Sequence, residues 1–210
     1  MTVVAGVILA GGRGKRLGGL IKANLKVGGV ILLERAVSSL GEIDGPILIS
    51  TGHIPASQIS TESDWRVVED ASKDYLGPLA GIAAAVGFLQ RENIKADYLM
   101  SLAVDTPFFP QDFCTRSMEL LDDNVDVVVA KFGAQIYPTN ALWRLNSIAH
   151  LPGQLTQLSP NGIKGLMTTL SVADMELAAV NGSNPCQNVN RMSDLIACGH
   201  THNQISAHAR

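Results

Sequence analysis

Residues Val3–Ala10 form an unbroken apolar run with β-branched members, and they run directly into Gly11–Gly19, a stretch of glycines and basic residues. No polar residue alternates within the run, so neither face of it can meet water. Such a segment reads as a parallel strand covered on both sides. Glycines and cations straight after it form a loop at the strand's C-terminal end, where open α/β sheets bind their ligands.

The pattern repeats downstream. Pro46–Ser50, Trp65–Val68, Tyr98–Val104 and Val125–Ala130 read as further strands, and Ile31–Leu40, Gly77–Leu89 and Pro110–Leu121 as helices between them. Strands alternating with helices predict an α/β fold with a mostly parallel sheet. Beyond Gln135 the pattern is less regular. Ile136–Trp143 reads as a strand, parallel or antiparallel, broken at Pro138; Leu151–Leu158 and Ile163–Leu170 as short helices; Met175–Val180 as a late strand; Met192–Cys198 as a final helix. With no internal repeat and no low-complexity linker, the expectation is one domain over residues 1–198 and a polar, disordered tail over 199–210.

Composition excludes several classes. At 46% hydrophobic and 17% charged, the 210-residue chain can bury a core. A net charge of -3 leaves no basic footprint for nucleic acid, so phosphate binding has to come from a local cluster. No apolar run approaches the ~20 residues of a membrane span, and the N-terminus lacks a signal peptide's basic start. Cys114, Cys186 and Cys198 have no paired spacing, so they read as buried hydrophobes in a reducing cytoplasm, not as a disulfide or zinc framework.

Four segments could carry chemistry. Between Leu9 and Lys22 lie five glycines and four basic residues, Arg13, Lys15, Arg16 and Lys22. The loop does not end in Gly-Lys-Ser/Thr, and Leu17 stands where a dinucleotide fingerprint needs its third glycine. Backbone N–H groups and cations there suit a triphosphate. Asp105 follows the strand Tyr98–Val104 and faces the same crevice, where one carboxylate and substrate phosphates suffice to hold Mg²⁺; capping a following helix is the plainer alternative. Asp70 and then Gly77-Pro78-Leu79-Ala80-Gly81 combine a carboxylate with a helix start of small residues, which allows close approach by a ligand or simply by another helix. Asn188 and Asn190 flank Val189 and fall on one face if the backbone is extended, or mark a turn.

Taken in order, Leu9-Ala10-Gly11-Gly12 with Arg16, Gly18-Gly19 and Lys22, then Val68-Glu69-Asp70, Gly77–Gly81, Asp105-Thr106-Pro107, Tyr137-Pro138-Thr139 and Asn188–Asn190 resemble the molybdenum cofactor guanylyltransferase family. The likeness spans residues 3 to about 196. It implies a Rossmann-like three-layer nucleotidyltransferase fold with a mostly parallel central sheet. The implied reaction is Mg²⁺-dependent transfer of GMP from GTP to molybdopterin in the cytoplasm, with transient contact to proteins that deliver the pterin or receive the product. By resemblance, Leu9, Ala10 and Gly11 line the nucleotide pocket with their backbone groups, Gly12, Gly52, Asp70, Gly77, Pro78 and Leu79 complete it, and Lys22 and Arg16 meet the phosphates. Asp105 is the implied Mg²⁺ ligand and Asn190 a second position beside the metal. Departures from the family pattern are Ile21 where Asp is usual, Gly52 where a base-reading Asn is usual, Ala103 where Pro is usual, and a lone Lys164 in the segment associated with the pterin. They leave cytidylyl or other nucleotidyl transfer, and a non-catalytic nucleotide-binding protein, as alternatives.

Overall fold

The computed structural model describes residues 2–59, 65–69, 77–158 and 162–208. Strand β1 (Val4–Leu9) sits inside a seven-stranded sheet. It pairs in parallel with β6 (Ile47–Ser50) on one side and β8 (Tyr98–Ala103) on the other. Two two-stranded ribbons lie between β1 and β6. One joins β2 (Arg13–Gly14) to β3 (Leu20–Ile21), and the other joins β4 (Lys26–Val27) to β5 (Val30–Ile31). Beyond β6 lies β7 (Arg66–Val68), again parallel. Beyond β8 the sheet continues through β10 (Gln135–Arg144), β9 (Val127–Phe132) and β11 (Val172–Glu176). Only β10 runs antiparallel to its neighbours.

Strand alternation distributes the apolar residues to two cores. Ile8, Met100, Leu102, Val128 and Ala130 face one side, where α1 (Leu32–Ser38), α3 (Phe113–Met118) and α7 (Met192–His208) bring Leu32, Phe113 and Cys198. Ala5, Val7, Leu99, Val127 and Val129 face the other, covered by α2 (Pro78–Arg91), α5 (Leu151–Leu158) and α6 (Gly162–Met167), with Ile148 of the short α4 (Leu145–Ile148). Burial on both faces is what the unalternating run of β1 demands. The result is three layers, helix–sheet–helix, as the family resemblance implies.

The structure departs from expectation in the C-terminal third. The antiparallel strand is longer than predicted, and its register shifts between Tyr137 and Ala141. Pro138, within that interval, has no N–H to give the ladder. The late strand is Val172–Glu176, not Met175–Val180. The final helix does not stop at Cys198 but runs to His208. Composition hid this because the extension is held by tertiary contacts: the His202 ring lies against Gly28 of the β4–β5 turn, and its Nδ1 is 3.3 Å from Arg35 Nη2. All three cysteines are free and buried, as expected.

Candidate active site

The C-terminal ends of β1, β6 and β8 open into one cleft, closed on its far side by the start of α2. Each wall comes from a segment with a local reason for its shape. β1 ends in Leu9, and the Ala10 N–H donates to the Ser50 carbonyl at 2.8 Å, which ties the glycine loop to the end of β6. Gly11 then passes Gly52 so closely that a Cβ on Gly11 would lie 3.0 Å from the Gly52 backbone. Gly52 itself has φ +58°, the left-handed region that glycine enters without strain. Gly77, also left-handed at φ +67°, turns the chain into Pro78 at the first helical position.

The centre of the site is an ionic bridge. Lys22 Nζ donates to Asp105 Oδ2 and to Asn190 Oδ1, each at 2.6 Å. The three residues come from the turn after β3, the end of β8 and the segment before α7. The Lys22 and Asp105 side chains are only 12% and 13% exposed. Asp105 caps no helix, since the next helix of the chain, α3, starts at Phe113. Its backbone is held from three sides. The Val189 N–H donates to the Asp105 carbonyl at 2.9 Å. Thr106 Oγ1 donates to the Ala103 carbonyl at 2.9 Å. Asn140 Oδ1, fully buried on β10, accepts the Ala103 N–H at 2.9 Å. Asn190 is fixed by its own helix: Asp194 Oδ2 accepts the N–H groups of Asn190 at 2.9 Å and of Arg191 at 2.8 Å. The backbone bond from Asn190 heads the influences that hold the Asp194 carboxyl below its ordinary value.

Of the residues predicted from sequence, Leu9, Gly11, Gly12, Lys22, Gly52, Gly77, Pro78 and Asp105 line the cleft, and Asn190 meets it through Lys22. The side chains of Ala10 and Leu79 are not among the lining groups; both are fully buried in the two cores, Ala10 just after β1 and Leu79 on the inward face of the first turn of α2. Arg16 is exposed on the helical turn Lys15–Leu17 and is not among the lining residues. Asp70 lies outside the described residues. Ser50 and Ala103, to which sequence reasoning gave no role in the cleft, line it, and their place at the C-terminal ends of predicted strands is the available signal; Thr139 of the Tyr137-Pro138-Thr139 motif and Asn188 of the Asn188–Asn190 segment line it as well.

The donor set can be tested against Mg²⁺. One carboxylate oxygen and one amide oxygen already grip a cation, the Lys22 ammonium, between them. Mg²⁺ is ordinarily held by one or two carboxylates with the remaining ligands from phosphates and water. The arrangement fits that demand. Among the described residues no group of three or more His, Cys, Asp or Glu offers an all-protein metal cage. No helix among them is long and apolar enough to cross a membrane.

The model of the family described as MobA-like NTP transferase domain matches residues 6–173. The chain belongs to that family. Membership of the MobA-like family makes it a nucleotidyltransferase. Among its relatives is the molybdenum cofactor guanylyltransferase of Acidiphilium cryptum, 30% identical over 191 residues, 91% of each chain. Among solved structures, molybdopterin-guanine dinucleotide biosynthesis protein A from Archaeoglobus fulgidus superposes with a TM-score of 0.69 at 18% identity, over 95% of this chain and 99% of that one. Rv0371C from Mycobacterium tuberculosis, solved in complex with manganese, gives a TM-score of 0.64 at 16% identity over 95% of this chain and 99% of that one. The two structures share this fold.

Proposed function

We propose that this MobA-like nucleotidyltransferase moves a guanylyl group from GTP to the phosphate of molybdopterin, with release of pyrophosphate. The name of the Acidiphilium cryptum relative supports the base and the acceptor. The observation that carries the reading is the Lys22 ammonium held between Asp105 and Asn190 beside the Gly11–Gly12 loop.

In this reading an acceptor phosphate oxygen bonds to the α-phosphorus of GTP, in line with the bond to the β-phosphate bridging oxygen, which breaks. The electron pair leaves with pyrophosphate. The attacking oxygen is already anionic, so no side-chain nucleophile or general base is required, and catalysis is positioning and charge stabilisation. Lys22 and the Gly11 and Gly12 backbone hold the departing phosphates, and exposed Arg16 adds a second cation. Asp105 and Asn190 hold the Mg²⁺, which when bound neutralises charge on the transferring phosphate. That a protein with this fold is solved in complex with manganese supports the use of a divalent ion. The base and ribose lie between Leu9, Ser50 and Gly52 on one side and Gly77–Pro78 on the other.

Thermal shift with GTP, CTP, ATP and UTP, with and without Mg²⁺, tests this directly. A ligand at ~100 times its dissociation constant adds ~2.7 kcal/mol, about 5 °C or more for a chain of this length. Mg²⁺-dependent stabilisation by GTP alone is the expected result. Preference for CTP would replace the base, an alternative left open because Gly52 has no side chain to read it, and no shift with any nucleotide would refute the reading.

A further inference from the structure

The Lys22 bridge has a consequence for how the site fills. The ammonium sits 2.6 Å from Asp105 Oδ2 and 2.6 Å from Asn190 Oδ1, so it occupies the position between the two oxygens that a divalent ion requires. A metal ion and an ammonium cannot share that position: the metal needs those lone pairs, and two cations in so confined a place repel. Lys22 must therefore leave before the metal enters. It cannot leave without loss, because its ammonium would give up two charge-assisted or polar hydrogen bonds in a mostly buried setting. The lysine stem passes Gly12, with Cδ 3.8 Å from where a Cβ on that glycine would stand, so a swing of the side chain about this stem moves the ammonium along the glycine loop. A triphosphate lying on that loop supplies a new anionic partner for the lysine and, at the same time, further oxygen ligands for the metal.

We infer that Lys22 is a built-in counter-ion that keeps the metal position closed until a nucleoside triphosphate arrives, so that metal and nucleotide bind as a linked pair. The inference rests on the nucleotidyl-transfer reading of this cleft. It assigns Lys22 two successive partners, Asp105 with Asn190 before the nucleotide arrives and the phosphates afterwards. Linkage is reciprocal: whatever factor the nucleotide adds to metal affinity, the metal adds to nucleotide affinity.

The test uses Mn²⁺ as the probe, with binding to the full chain followed by electron paramagnetic resonance and GTP binding by calorimetry, without acceptor so that no turnover occurs. For the wild type, the expectation is weak Mn²⁺ binding alone and a tenfold or greater tightening of GTP by Mn²⁺. Lys22→Met keeps the stem and removes the charge. It should bind Mn²⁺ in the absence of nucleotide at least tenfold more tightly than the wild type, even as its affinity for GTP falls, and the linkage should shrink. Lys22→Arg, which keeps a cation between the oxygens, should leave Mn²⁺ binding weak. Adding Asp105→Asn to Lys22→Met should abolish the gain. Circular dichroism and a thermal melt on each variant establish that it is folded. Mn²⁺ affinity in folded Lys22→Met that is equal to or below the wild-type value would overturn the inference, and so would a gain that survives Asp105→Asn. Absence of GTP binding to the wild type, with or without Mn²⁺, would instead remove the nucleotidyl-transfer reading beneath it.

Discussion

Replacing Asn140 with Leu tests how the sheet delivers Asp105. Asn140 is fully buried on β10, inside the interval where that strand's register with β9 shifts. Its side-chain oxygen, 2.9 Å from the Ala103 N–H, satisfies a donor at the end of β8. The other end of the amide makes only a long contact, 4.0 Å to Cys186 Sγ. Leu keeps the branching and the number of heavy atoms but offers no acceptor, so the Ala103 N–H is left buried and unpaired at a cost of about 1–3 kcal/mol. Relief from burying a polar amide offsets part of this, leaving about 1–2 kcal/mol of net destabilisation. For a chain of this length each kcal/mol moves Tm by about 2–4 °C, so the expected drop is about 2–8 °C. Ala103 stands two residues before Asp105, and a segment that shifts to rehydrate its N–H moves that carboxylate with it, so nucleotidyl transfer should fall as well. Thermal melts and a pyrophosphate-release assay on Asn140→Leu measure the two effects. Stability within ~0.5 kcal/mol of wild type, the range of an ordinary surface substitution, would refute the reasoning. A destabilised variant with full activity would show that Asn140 supports the sheet without positioning Asp105.

Three further predictions follow from the same contacts. Asp105→Ala should lower pyrophosphate release by on the order of 10²–10³-fold with circular dichroism unchanged, and near-normal turnover would remove Asp105 from the reaction. Gly28→Ala should loosen α7, because a Cβ there would lie 2.0 Å from the His202 ring on a backbone with φ +59°. The rate at which a thiol reagent labels Cys198, buried on α7 with its thiol pushed up by burial, should rise relative to Cys114 and Cys186; burial pushes those thiols up to about 11 and about 12, and equal rates in variant and wild type would contradict the docking. Stability should fall in acid partly through Asp126, which accepts hydrogen bonds from Ser147 Oγ and from the Ser171 N–H and lies near Arg144, so that its carboxyl is held below its ordinary 3.8. A depressed folded-state value means that this contribution is present above pH 3.8 and is lost as pH falls through the lower value. Asp126→Asn should therefore flatten the stability-versus-pH curve below 3.8, and an unchanged slope would refute the assignment.

The extent of what was legible in the sequence follows from the range of the interactions involved. The unbroken apolar run of β1, the glycine loop after it and the Gly77-Pro78 helix start are local, each specified by the backbone freedom or side-chain chemistry of a few adjacent residues. Periodicity placed the helices and most strands for the same reason, and it determined the α/β class with a mostly parallel sheet, whereas the three-layer arrangement was implied by the family resemblance. Periodicity does not say which neighbour of a cleft residue turns its side chain into the core, and it is the tertiary structure that buries the side chains of Ala10 and Leu79. The polar composition after Cys198 predicts a frayed end, yet α7 continues to His208 because His202 reaches Gly28 and Arg35, which lie far away in the chain. The same distance separates the partners of the site. Lys22 meets Asp105 across 83 residues and Asn190 across 168. Sequence supplies the three side chains, but only the parallel order β6-β1-β8 and the return of the chain before α7 bring them within 2.6 Å, because side-chain chemistry is local whereas juxtaposition depends on strand order and on which backbone groups each strand must satisfy.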